Sequence, residues 1–239
     1  MAETSVHRQD PFLRDRYELL WANSVERIRL GNVEIDPILA RKEADFRRGM
    51  TLVIRPSERV RLRVDEFLDE LRVLEPDQYY YHPSELHVTF LSLFTATVEH
   101  EAFFERTGDY EAAVTSGASR LNPFSMFFHG ITASPGAIMV QGFTDAGRLN
   151  AGRDGLRQEL RSRGFNRGLD ERYRLETAHM TVARFRQPLR NARSFAEALD
   201  QARTFDFGTS EVDSLELVRN DWCMSRERTE CLRLYELAV

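Results

Sequence analysis

Two hydrophobic periodicities alternate along the chain. Leu13, Tyr17, Leu20, Trp21 and Ile28 recur at helical spacing after Asp10-Pro11, which offers a cap and a first-turn proline. Gly31-Asn32 stops that run, and Asp36-Pro37 opens a second helical segment expected to end at Gly49. Met50–Arg55, closed by Pro56, reads as a short strand. Val60, Val64, Phe67, Leu68, Leu71 and Leu74 then mark an amphipathic helix. A loop through Tyr79-Tyr80-Tyr81-His82-Pro83 leads to a strand over Leu86–Phe94, then a helical stretch over Glu99–Ser119. Strands over Phe124–Thr132 and Ala137–Phe143 follow, joined through Ser134-Pro135-Gly136. A helix over Asp145–Arg163 ends at Gly164, and a strand over Ala178–Phe185 comes next. Ser194 caps a predicted helix to Ala202, and long strands over Val212–Met224 and Thr229–Ala238 close the chain.

The pattern repeats once. Strand Met50–Arg55, a long helix and strand Leu86–Phe94 are echoed by Ala137–Phe143, a long helix and Ala178–Phe185. The expected fold is therefore α+β: two pseudo-symmetric lobes of mostly antiparallel sheet, helices outside and a cleft between. These lobes take up residues 50–239, and residues 1–49 read as a helical extension packed against them.

In each copy the second strand carries His-x-Thr. Residues i and i+2 of a strand share a face, so His87 projects with Thr89, and His179 with Thr181. Leu86, Val88 and Phe90 turn the other way, as do Met180 and Val182. A single such pair is usually a satisfied structural pair; two, on matching strands of a repeat, point to a shared site. Imidazole titrates near neutrality, so one histidine can take a proton from a nucleophile while the other gives one to a leaving oxygen. The threonine hydroxyls can donate to the non-bridging oxygens of a phosphodiester as charge builds there. No metal and no cofactor is needed for that scheme.

The two motifs, His87-Val88-Thr89 and His179-Met180-Thr181, resemble those of the 2H phosphoesterase superfamily, which includes bacterial RNA 2′,5′-ligase-like proteins and cyclic phosphodiesterases. The resemblance covers about Met50 to Val239. It implies a bilobal fold and phosphoester chemistry on a nucleotide or an RNA end. It also implies a phosphate-binding role for Arg184, because His179-Met180-Thr181-Val182-Ala183-Arg184 is similar to the second motif of the ligase-like branch. Strict alternation turns Arg184 away from His179, so a bulge or a strand end is required to bring it into the cleft. The expected activity is hydrolysis of a 2′,3′-cyclic phosphate or a 2′,5′-phosphodiester. RNA end ligation and a binding module without turnover are the alternatives.

Other residues add less. The tyrosines at 79–81 either pack in the core, the favoured reading, or stack a nucleobase; Tyr81, nearest the motif, is the candidate contact. Arg161, Arg163, Arg167, Arg172 and Arg174 form either a phosphate patch or a solvated loop balanced by Asp170 and Glu171. His82 and His129 read as structural or surface residues, and His7 and His100 suggest no function. No zinc motif is present. Cys223 and Cys231 flank an expected hairpin turn, where they can face each other, and read as reduced thiols.

The net charge of −5 argues against non-specific coating of nucleic acid. Lys42 is the only lysine among 33 basic residues, so phosphate contacts are expected from arginine. With no membrane-length apolar run and no signal-peptide pattern in the 239 residues, a cytoplasmic location is the default; oligomeric state has no signature here.

Overall fold

The structure, a computed structural model, describes residues 10–144, 147–171 and 173–238. Helix α1 runs over Pro11–Arg29; the Asp10 carboxylate accepts the Phe12 N–H, and Gly31 at φ +74° turns the chain out of the helix. The second expected helix is a short kinked 3₁₀ segment, Leu39–Ala44, broken at Arg41. It does not reach Gly49, which lies inside strand β1 (Arg48–Ile54). Glycine is needed there for strand packing: a Cβ on Gly49 would stand 2.8 Å from the Ala96 nitrogen of the neighbouring strand.

Beyond β1 come α2 (Glu58–Leu74), β2 (Tyr79–Tyr80), β3 (Val88–Thr97), α3 (Glu101–Phe104) and α4 (Thr107–Ala118). The second half holds β4 (Phe124–Ser134), β5 (Ala137–Thr144), α5 (Arg148–Ser162), β6 (Met180–Arg184) and α6 (Ala192–Gln201). Strands β7 (Asp206–Val212), β8 (Ser214–Asn220) and β9 (Glu230–Glu236) finish the chain. The single helix expected over 99–119 is thus two, and the expected start of the following helix, Asp145, lies outside the described residues.

One sheet has the order β3-β1-β8-β9 and the other β2-β6-β5-β4-β7, with antiparallel pairing throughout. The fold is the bilobal α+β arrangement that the repeat predicts. β1 pairs with β3 as β5 pairs with β6, and each pair is joined through a long helix. Those helices are exchanged: α2 packs on β7 and α6 beside the second sheet, while α5 packs on α4 and β3 beside the first. Phe67 of α2 meets Phe205 and Phe207 at that crossing. Helix α1 lies on β4 and α6.

Three local expectations are corrected. The strand expected over 212–224 begins later and ends earlier, because the chain passes from β7 in one sheet to β8 in the other at Asp213. Helix α6 starts at Ala192 after Asn191, so Ser194 sits in its first turn. The thiols do not face each other: Cys231 pairs in register with Val218, while Cys223 is buried beyond the end of β8, and both are free. Among the described residues no helix is long and apolar enough to cross a membrane.

Candidate active site

Each His-x-Thr motif straddles the start of its strand. His87 precedes the first residue of β3 and His179 the first of β6, while Leu86, Val88, Ala178, Met180 and Val182 are fully buried beneath them. In β3, Leu52 opposes Leu91 and Val53 opposes Thr89, so Phe90 is an extra residue. In β6, Ile138 opposes Ala183 and Met139 opposes Thr181, so Val182 is extra. Both strands therefore bulge one residue after the motif threonine, which resets the alternation of faces. The third residue past each threonine returns to the cleft: Arg184 in β6 and Ser92 in β3. That bulge is what the sequence required for Arg184.

One pocket between the sheets is lined by His87, Thr89, His179, Thr181, Arg184 and Tyr81 together. Every site residue proposed from sequence meets there. The wall also carries Thr51, Ser92, Thr95, Asn220, Trp222 and Tyr173, none of them anticipated. The bulge at Phe90 hides Ser92 from a reading by strict alternation, whereas Thr95 has the same parity as Thr89. Trp222 stands in a loop built around Asp221, whose carboxylate accepts the N–H groups of Cys223 and Ser225 and the Ser225 hydroxyl. Asp-x-x-x-Ser after a strand is the one available sequence sign of that turn.

The two imidazoles are held differently. Nδ1 of His87 is 2.7 Å from the Glu85 carbonyl oxygen. A carbonyl only accepts, so Nδ1 carries a hydrogen and Nε2 of the neutral ring is a lone pair. Nδ1 of His179 is 2.7 Å from the Thr177 hydroxyl, which can donate or accept, so either tautomer is served. Burial pushes the pKa of His87 down to about 4, opposed by the Glu85 carbonyl and aided by Arg55 and Arg184. Burial likewise pushes His179 down to about 4, with Arg153, Arg184 and His87 adding to the effect. Both rings are neutral at neutral pH.

Arg184 supplies the lasting positive charge. Its Nε donates to the Tyr81 hydroxyl at 3.0 Å, and that phenol is the first cause of its raised pKa. The Tyr81 ring is buried and packs edge-on against Tyr79 at 5.0 Å, so the residue presents its hydroxyl end to the site. Tyr79 donates to Glu85 and Tyr80 to the carbonyls of Leu71 and Glu75. Of the arginines expected in the preceding loop, Arg161 lies in the last turn of α5, and all the described ones are ion-paired: Arg161 with Asp170, Arg163 with Glu159, Arg167 with Glu99 and Arg174 with Asp154. The solvated, balanced reading of that loop is the one these pairs fit; Arg172 and His7 lie outside the described residues. Among the described residues no group of three or more His, Cys, Asp or Glu side chains is placed to hold a metal ion.

No protein-family model matches the sequence, and no curated protein matches it. Solved structures do match. TT0787 of Thermus thermophilus superposes with a TM-score of 0.61 at 19% identity, covering 79% of this chain and 97% of that one. A crystal structure described as a phosphoesterase gives 0.53 at 14% identity, over 81% and 99% of the two chains. Escherichia coli LigT complexed with 3′-AMP gives 0.51 at 14% identity, again over 81% and 99%. At such identities the likeness is one of backbone architecture, and the chain shares its two-lobed fold with TT0787, that phosphoesterase and LigT.

Proposed function

We propose that the protein is a metal-independent phosphodiesterase that opens a 2′,3′-cyclic phosphate or cleaves a 2′,5′-phosphodiester of RNA or of a small nucleotide. The observation that carries this reading is the meeting of two His-x-Thr pairs and Arg184 in one pocket. The 3′-AMP bound by LigT supports a nucleotide as the substrate class.

A phosphodiester brings a negative charge beside Arg184, and that charge raises the pKa of the neighbouring imidazoles, drawing in one proton. Arginine charges oppose an imidazolium at both rings, Arg55 and Arg184 at His87 and Arg153 and Arg184 at His179, but only His87 has a carbonyl, that of Glu85, accepting from Nδ1 and favouring the charged ring. His87 is accordingly the acid and His179 the base. In hydrolysis the oxygen of water bonds to phosphorus as its proton passes to Nε2 of His179. The bond to the leaving ribose oxygen breaks as Nε2 of His87 protonates it. Thr89, Thr181 and Arg184 donate to the non-bridging oxygens throughout. Run backwards, the same groups join RNA ends, which is the second reading.

The test offers 2′,3′-cyclic nucleotides, 2′,5′-linked oligonucleotides and cyclic-phosphate RNA ends, with and without EDTA, and identifies the products. Turnover insensitive to chelation is expected. Turnover that disappears in EDTA and returns with Zn²⁺ or Mn²⁺ would make the histidines ligands instead of proton carriers; no turnover on any of the three would leave the binding-module reading.

A further inference from the structure

Arg153, on α5, is fully buried and lies outside both motifs. Its Nε donates to the Phe90 carbonyl at 2.7 Å and its Nη2 to the Thr89 carbonyl at 2.7 Å. The same Nη2 donates to the Thr177 carbonyl at 3.0 Å, and Nη1 donates to Asn150 Oδ1 at 3.0 Å. Its acceptors are three backbone carbonyls and one amide, with no carboxylate among them. A buried cation with no carboxylate hydrogen-bonded to it is expensive, even with Asp154 and Asp170 acting from a distance, unless its hydrogen bonds compensate. Two of the carbonyls belong to Thr89 and to the bulged residue after it, where the ladder is locally disrupted. The third lies two residues before His179.

The stretch before His179 precedes β6 and is held by side chains of α5. Arg157 donates to the Leu175 carbonyl at 3.2 Å and Asn150 to the Glu176 carbonyl at 2.9 Å. Positions 150, 153 and 157 are spaced three and four apart, so one face of α5 carries the whole set. Of these three, Arg153 also reaches across to the other motif strand.

We propose that Arg153 is a positioning residue that fixes the two His-x-Thr strands against each other, one guanidinium gripping the backbone of both and setting the gap across which the histidines share a substrate. The proposal rests on the phosphodiesterase reading above. Although burial draws its pKa down to about 9, Arg153 stays cationic at neutral pH. It is also one of the three charged or titratable groups acting on the His179 imidazole, with Arg184 of β6 and His87 before β3.

Two variants separate geometry from charge. Arg153→Lys keeps the cation but loses the three-way fork; Arg153→Met loses both. In Arg153→Lys, kcat falls by about 10²-fold with KM near the parent's, as expected for misplaced reacting groups, while the NMR titration of His179 stays close to the parent's. In Arg153→Met, kcat falls at least as far and the His179 titration moves to higher pH. Asn150→Ala, which removes the amide that orients Nη1, is the milder variant should the methionine chain not fold; it shifts kcat in the same direction by less. A lower melting temperature with unchanged kcat for the folded fraction and unchanged imidazole titrations overturns the proposal. If the parent turns over no phosphodiester, the function reading fails on its own. The clamp is then decided by the histidine chemical shifts: those of both motif histidines must move in Arg153→Lys, and unmoved shifts overturn it.

Discussion

The Tyr17 hydroxyl accepts the backbone N–H of Ala178 at 2.9 Å, one residue before His179, and donates to the Gly142 carbonyl at 3.0 Å. A residue of the first helix thus touches the backbone that carries the second motif. Gly142 permits it, since a Cβ there would stand 2.2 Å from the Ala178 carbonyl oxygen. Tyr17→Phe leaves buried backbone groups unpaired, a loss of about 1–3 kcal/mol. The urea midpoint should drop with the slope unchanged, and kcat should fall more than KM changes. Parent-like stability would show that water or a rearranged backbone replaces the hydroxyl.

His87→Ala or His179→Ala should lower kcat by about 10²–10⁴-fold, the range for a general acid or base. The double variant should be little worse than the poorer single one, because the two act as a unit. Thr89→Val and Thr181→Val keep a β-branched side chain and remove one donor, with a loss of about 10²–10³-fold where that donor acts on the transition state. Circular dichroism should show all four single variants folded, since these side chains face the pocket. Wild-type turnover in both folded histidine variants would sink the catalytic assignment.

Arg184→Lys retains the charge without the planar fork. Losing one charge-assisted hydrogen bond of about 1.5–3 kcal/mol should reduce kcat/KM by roughly 10–150-fold. Tyr81→Phe frees Nε of Arg184 and should act in the same direction by less, read mainly in KM. An Arg184→Lys enzyme with unchanged kcat/KM would remove this residue from the phosphate site.

Acid should unfold the protein partly through its two pocket histidines. Their folded pKa values, about 4, lie below the ordinary 6.5, so the unfolded chain binds more protons between those limits. Their contribution is complete above pH 6.5 and is lost as pH falls toward 4. Replacing both by glutamine should flatten the fall in melting temperature over that window. In turnover, kcat/KM reports the free enzyme and should rise as pH is lowered from roughly 8 toward 5, while the kcat optimum lies higher because bound phosphate raises the imidazole pKa values. Coincident optima would argue against proton uptake on binding.

The sequence makes some of this legible for identifiable reasons. Helices α1 and α2 have apolar residues at helical spacing, and the strands flanking the motifs alternate, which places the lobes and the four motif residues. The bulges at Phe90 and Val182 have no composition of their own, which is why Ser92 stays hidden and Arg184 needs a bulge or strand end to reach the cleft. Strand β7 escapes the pattern because Asp206 and Gly208 read as turn residues, yet Phe207 between them is buried against α2. Asn150, Arg153 and Arg157 look like the solvent side of an amphipathic helix. They are turned inward because the surface facing them is polar, backbone carbonyls for all three and the Asp170 carboxylate for Arg157, partners that hydrophobic patterning does not register.

The exchanged helices make the two lobes mutually dependent for folding. The first half of the chain supplies α2, which covers the second sheet, and the second half supplies α5, which covers the first; β8 and β9 complete the sheet begun by β1 and β3. A chain severed near Asn122 would yield two fragments, each with a bare apolar sheet face and a helix with nothing to cover. Neither should fold alone, but mixed together they should associate into the intact architecture. The uncut protein should unfold in one transition, without a half-folded state, despite its bilobal outline.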